Sequence, residues 1–168
     1  MSELGILVML RRWVFLAVCY SFTYDVQAAI DLVKIDKSKR RMYLLEQGEV
    51  IKEYRVALGA NPKGHKQQEG DNRTPEGNYT LKYVINDSAY YRSVHISYPN
   101  AHDRADALRR GVSPGGEIKI HGLKNGETQP AQFIQSFDWT NGCIALSNED
   151  MDEFIRLVKM GTPIFIEW

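Results

Sequence analysis

The segment Thr140-Asn141-Gly142-Cys143-Ile144, with His121-Gly122 twenty-two residues before the cysteine, carries the side chains best suited to covalent chemistry. Of the two cysteines, Cys19 lies in an apolar N-terminal run read below as a removable export signal, which leaves Cys143 without a partner in its own chain. Such a thiol is either a small buried hydrophobe or a nucleophile. A free thiol has a pKa of about 8.5, so only a few per cent is thiolate at neutral pH, and thiolate is the reactive form. A nearby histidine corrects this by taking the proton or by holding an ion pair with the thiolate. His121 ends an expected strand just before Gly122, a place from which side chains commonly face a cleft. Gly142 permits close approach of a substrate or a backbone with positive φ. The N–H groups of Gly142 and Cys143 can then hold a developing oxyanion. One cysteine and one of four histidines is a weak pattern by itself, so packing and catalysis both stay open on residue type alone.

The elements that must position these groups read as mostly β. Leu32-Val33-Lys34-Ile35-Asp36 alternates, Arg41–Glu46 forms a second strand, Gln47-Gly48 turns, and Val50–Leu58 returns as a third. Asn61-Pro62-Lys63-Gly64 ends that run, and His65–Asn72 reads as a polar, exposed loop. Strand character resumes over Gly77–Ile85, His95–Tyr98 and Glu117–His121, with a helix or helical turn over 101–111. A second helix, about 148–160, is capped by Ser147 or Asn148 and stopped by Gly161. Its residues Met151, Phe154, Ile155 and Val158 form one apolar stripe for the core. Pro163 releases the chain into a final strand over Ile164–Trp168. Many short strands with few helices indicate a mostly β (α+β) sandwich or barrel-like domain.

Composition narrows the class. The 168 residues are 43% hydrophobic, enough for one domain with a real core, and the 21 Lys+Arg balance 21 Asp+Glu. That balance speaks against a nucleic-acid partner. At the N-terminus, Arg11-Arg12 precede the apolar run Trp13–Phe22, and Val26-Gln27-Ala28 follows, the order of a secretory signal peptide over residues 1–29. The run is too short to span about 30 Å of hydrocarbon at about 1.5 Å per residue. Met9 would begin the more ordinary signal. Export to the periplasm or cell envelope is the expectation, with one domain over 30–168.

Four blocks in order carry a resemblance: Gly70-Asp71-Asn72-Arg73-Thr74-Pro75-Glu76-Gly77-Asn78-Tyr79, Ser97-Tyr98-Pro99-Asn100, Ile120-His121-Gly122, and Thr140–Ile144. Over about residues 30–168 they resemble the L,D-transpeptidases of the YkuD type. The resemblance implies an exported bacterial cell-wall enzyme. Cys143 matches the nucleophile, which attacks the carbonyl between the third and fourth residues of a stem tetrapeptide and forms a thioester. His121 matches the general base, oriented by the Gly122 carbonyl. Thr140 occupies the Ser/Thr position that supports the active-site loop. The acyl group then passes to an amine, usually of a diaminopimelate on another stem, or to water. Peptidoglycan stem peptides are the implied partner, a wall-linked lipoprotein the alternative, and the protein acts as a monomer without cofactor or metal. The family commonly has Arg two residues after the cysteine, where this chain has Ala145. The Asp138–Ala145 stretch resembles a YafK-related branch, some of whose members are thought to cleave cell-wall amide links. The alternatives are therefore an L,D-carboxypeptidase or amidase, and an inactive wall-binding module.

Among the remaining residues, Tyr98, Trp139 and Arg73 are candidates for substrate contact, with Arg92, Arg104 and Arg109 weaker ones. His65 is expected in solvent, and His95 as an ordinary strand histidine. His102 and Asp103 could border the cleft. Cys143 and His121 lack the company of further ligands that a structural zinc site needs.

Overall fold

The computed structural model describes residues 29–168; the expected signal segment lies almost wholly outside them. Eight strands form one mixed sheet: β1 Leu32–Asp36, β2 Arg41–Glu46, β3 Glu49–Arg55, β4 Gly77–Ser88, β5 Tyr91–Ile96, β6 Lys119–His121, β7 Ile144–Ala145 and β8 Pro163–Glu167. Their spatial order is β3-β2-β1-β8-β4-β5-β6-β7. The helices are α1 Ala101–Arg109, α2 Ala131–Ile134 and α3 Asn148–Leu157.

Strand β4 bends the sheet. Its first residues, Gly77–Thr80, pair with β8, whereas Leu81–Ser88 pair with β5. The sheet curls far enough for its two edges to meet. Beyond β3, Ala57 pairs with Ala145 and Gly59 with Thr140, closing the fold into a barrel-like shape. Alternating residues point inward, among them Val33 and Ile35, Met42 and Leu44, Val94 and Ile96, and Ile164 and Ile166, all buried. Met151, Phe154 and Val158 complete this core from α3 and its end.

Several boundaries differ from the sequence expectation, for reasons of packing. The third strand stops at Arg55 because Val56, Ala57 and Leu58 are all buried and leave β2 to reach β7. The expected strand over His95–Tyr98 lies earlier, at Tyr91–Ile96, where a tight hairpin pairs Ser88 with Tyr91. Ser147 caps α3 through Asp150 N–H at 3.0 Å, but the helix ends at Leu157 and not near Gly161. The following residues are drawn onto β4 instead: Gly161 N–H donates to Leu81 O, and Leu81 N–H to Thr162 O. Helix α2 and strand β7 carry no local signal long enough to read.

Candidate active site

The parallel pairing of β6 and β7 makes the site. Ile120 pairs with Ile144 and His121 with Ala145, so the residue preceding β7, Cys143, comes beside β6. A parallel pair needs a long crossover, and residues 122–143 supply it. Cys143, His121, Thr140 and Trp139 all line one cleft of about 680 Å³, together with Tyr90 from the β4–β5 hairpin.

His121 is buried, and its Nδ1 lies 2.7 Å from Gly122 O. A carbonyl only accepts, so Nδ1 carries the hydrogen and Nε2 keeps a free lone pair. The ring is flanked by Tyr90 at 4.6 Å and Trp139 at 5.7 Å between centroids. Burial among them lowers its proton affinity below the ordinary histidine value. Gly122 must be glycine, since a Cβ there would stand 2.6 Å from Asn148 Oδ1. That oxygen accepts from Leu123 N–H at 2.9 Å, so the first turn of α3 braces the residues after His121.

Cys143 is half-buried, and its thiol donates to Glu117 O at 3.6 Å. Burial pushes the thiol up, with Lys119 pulling the other way. Burial thus favours the neutral form of both the thiol and the imidazole.

Thr140 holds the loop from inside. Its hydroxyl donates to Cys143 O at 2.7 Å and accepts Gly142 N–H at 3.1 Å. The Gly142 N–H, expected as an oxyanion donor, is buried and points to the Thr140 hydroxyl in the empty cleft. The Cys143 N–H has no acceptor among the described residues. Gly142 has φ 125°, and a Cβ on it would lie 2.7 Å from Arg73 O. Asp138 anchors the approach to the loop, accepting Leu58 N–H at 3.0 Å and pairing with Arg40 at 2.7 Å.

The other candidates divide. Trp139 faces the cleft. Tyr98 does not: it is buried against Tyr79, and its hydroxyl donates to Pro114 O at 2.8 Å. Arg73 meets the site only through its carbonyl against Gly142, while its guanidinium lies beside Gly64. His65 is half-buried, contrary to expectation, with Nδ1 accepting Glu76 N–H at 2.9 Å and Nε2 3.4 Å from Asp103. Asp103 serves the Asn100 capping box, and His102 is exposed on α1, so neither borders the cleft. His95 stacks on Tyr83 at 5.0 Å. Sequence reasoning passed over Tyr90, Glu117, Lys119 and Ser93. Lys119 stands two residues before His121, on the same face of β6, and that spacing alone could have singled it out.

A mostly β domain with a cysteine and a histidine meeting in one cleft defines a class of candidate acyl-transfer proteins. The L,D-transpeptidase catalytic domain, YkuD, matches residues 30–166, and the chain belongs to that family. It is 29% identical over 140 residues to YafK of Escherichia coli (strain K12), covering 79% of this chain and 48% of YafK. The chain thus spans about half the length of that relative. The crystal structure of the helical cell shape determining protein Pgp2 from Campylobacter jejuni superposes with a TM-score of 0.62 at 26% identity, over 85% of this chain and 51% of that one. The L,D-transpeptidase of Xylanimonas cellulosilytica shares the fold at a TM-score of 0.53 and 16% identity, over 83% of this chain and 61% of that one.

Proposed function

We propose that this protein is an exported cysteine acyltransferase acting on peptidoglycan stem peptides, an L,D-transpeptidase. The observation that carries the reading is His121, whose Nδ1 is tied to Gly122 O at 2.7 Å so that Nε2 stands free in the cleft of the Cys143 thiol. Nε2 takes the thiol proton as sulfur attacks the carbonyl carbon of the penultimate residue. The Cys143 N–H faces the oxyanion. The C–N bond then breaks, the imidazolium gives its proton to the leaving amine, and a thioester remains. An incoming amine forms the new amide as the C–S bond breaks, its proton passing through His121 to restore the thiol. Water in place of the amine gives L,D-carboxypeptidase activity from the same thioester.

The likeness to Pgp2, a helical cell shape determining protein, supports a role in cell shape. Arg11-Arg12 and the apolar run after them support export. Intact-mass measurement after incubation with a tetrapeptide muropeptide, or with a carbapenem, tests the chemistry. An adduct that vanishes in Cys143→Ala and forms more slowly in His121→Ala is expected. No adduct with either reagent would overturn the reading. Envelope fractionation should recover a mature chain beginning near residue 30.

A further inference from the structure

Among the described residues lining the cleft, Lys119 is the one lysine or arginine, accompanied by the carboxylates of Asp87 and Glu117. It immediately precedes the Ile120–Ile144 pair, which sets it alongside Cys143. Its Nζ lies 2.9 Å from Glu117 Oε2, and its side chain is 26% exposed. The other Glu117 oxygen lies 3.6 Å from His95 Nε2. The backbone carbonyl of Glu117 accepts the Cys143 thiol, so one residue holds both the ammonium and the nucleophile. Glu117 does this from a left-handed backbone, φ 58°, a conformation that persists in a non-glycine residue only when its surroundings impose it.

We propose that Lys119 binds the free carboxylate of the residue to be expelled, and thereby selects donors that end one residue past the scissile bond. The assignment rests on the acyl-transfer reading above. In such a donor the terminal carboxylate carbon is separated from the scissile carbonyl carbon only by the amide nitrogen and one Cα. Its binder must therefore sit beside the nucleophile, as Lys119 does. Ala145, where the family commonly has Arg, is wholly buried and bonded in both directions to Ala57, and contributes no charge. Glu117 aims the ammonium while the cleft is empty. Its side chain is 74% exposed, so the ion pair holds Lys119 weakly and yields to a substrate carboxylate at small cost. An amide link that continues into a longer chain has no carboxylate at this point and gains nothing from Lys119.

The test measures binding apart from turnover. In Cys143→Ala protein, calorimetry compares a tetrapeptide carrying a free C-terminal carboxylate with the same peptide as its carboxamide. The free acid should bind about tenfold more tightly or better, the scale of one charge-assisted hydrogen bond. Adding Lys119→Met should bring the two peptides level, whereas Lys119→Arg should keep most of the preference. Equal affinities, no measurable binding of either peptide, or a preference that survives Lys119→Met overturns the assignment. Thioester formation by the unsubstituted protein is followed in parallel. Its absence refutes the acyl-transfer reading, whereas turnover of the free acid indifferent to Lys119→Met refutes the role of Lys119 alone.

Discussion

Thr140→Val replaces a hydroxyl by a methyl group of nearly the same shape, in a side chain that is almost wholly buried. Two hydrogen bonds go at once, the 2.7 Å donation to Cys143 O and the 3.1 Å acceptance from Gly142 N–H. The Gly142 amide is left buried and unpaired, at a cost of about 1–3 kcal/mol, and the Cys143 carbonyl loses a further bond of about 1 kcal/mol. A loss of roughly 2–4 kcal/mol follows, which in a domain of this size lowers Tm by roughly 5–15 °C. The loop would also release Cys143 from its place, and a displacement near 1 Å costs about 100-fold in rate. Thr140→Ser keeps both polar contacts and should acylate within a few-fold of the wild type. Thermal melts and acylation rates measured on both variants decide the matter. A valine variant that melts and reacts like the wild type, or a serine variant as impaired as valine, would refute the role of the hydroxyl.

Three further outcomes follow from charge and burial. Lys37 is wholly buried, its Nζ donating to Gly64 O and Thr74 O at 2.8 Å and to Glu76 Oε1 at 2.9 Å. Lys37→Met strands these acceptors and should cost about 3–5 kcal/mol in urea unfolding; a cost under about 1 kcal/mol would contradict this. For His121, burial lowers the pKa, so acylation should rise with pH along a limb whose midpoint falls below the ordinary value of about 6.5. A midpoint above that value would contradict a neutral pair. His65 is lowered by burial as well. Both groups bind protons more weakly in the folded chain, so their contribution to stability is complete above about pH 6.5 and is lost as pH falls through the folded values. Urea titrations at pH 7.5 and pH 5 should show the lower stability at pH 5, with a smaller difference in His65→Gln.

Much of the fold was legible because its signals are local. Alternation located β1, β2, β8 and the start of β4, and the Ser147 cap with its acidic first turn located the start of α3. The end of α3 was not legible, because Val158–Thr162 is held by backbone bonds to Leu81 in a distant strand. Strand β7 is two residues long and exists only through its neighbours β6 and Ala57. Tyr98 and Arg73 show the same limit at the site. Both stand in blocks that match the family, yet one packs into the core and the other offers only a carbonyl.

The sequence by itself determined which groups stand ready to react: the Cys143 thiol, a histidine before a glycine, and a threonine and glycine that shape the loop. Those are properties of residue type and close spacing. Tertiary structure decided how they work. The β6–β7 register sets Lys119 and His121 beside the thiol, burial pushes that thiol's pKa up, and Thr140 accepts the Gly142 N–H. The physical reason is range. Strand pairing and desolvation depend on groups far apart in the chain, and only the closed sheet brings those groups within the few ångströms over which hydrogen bonds and charges act.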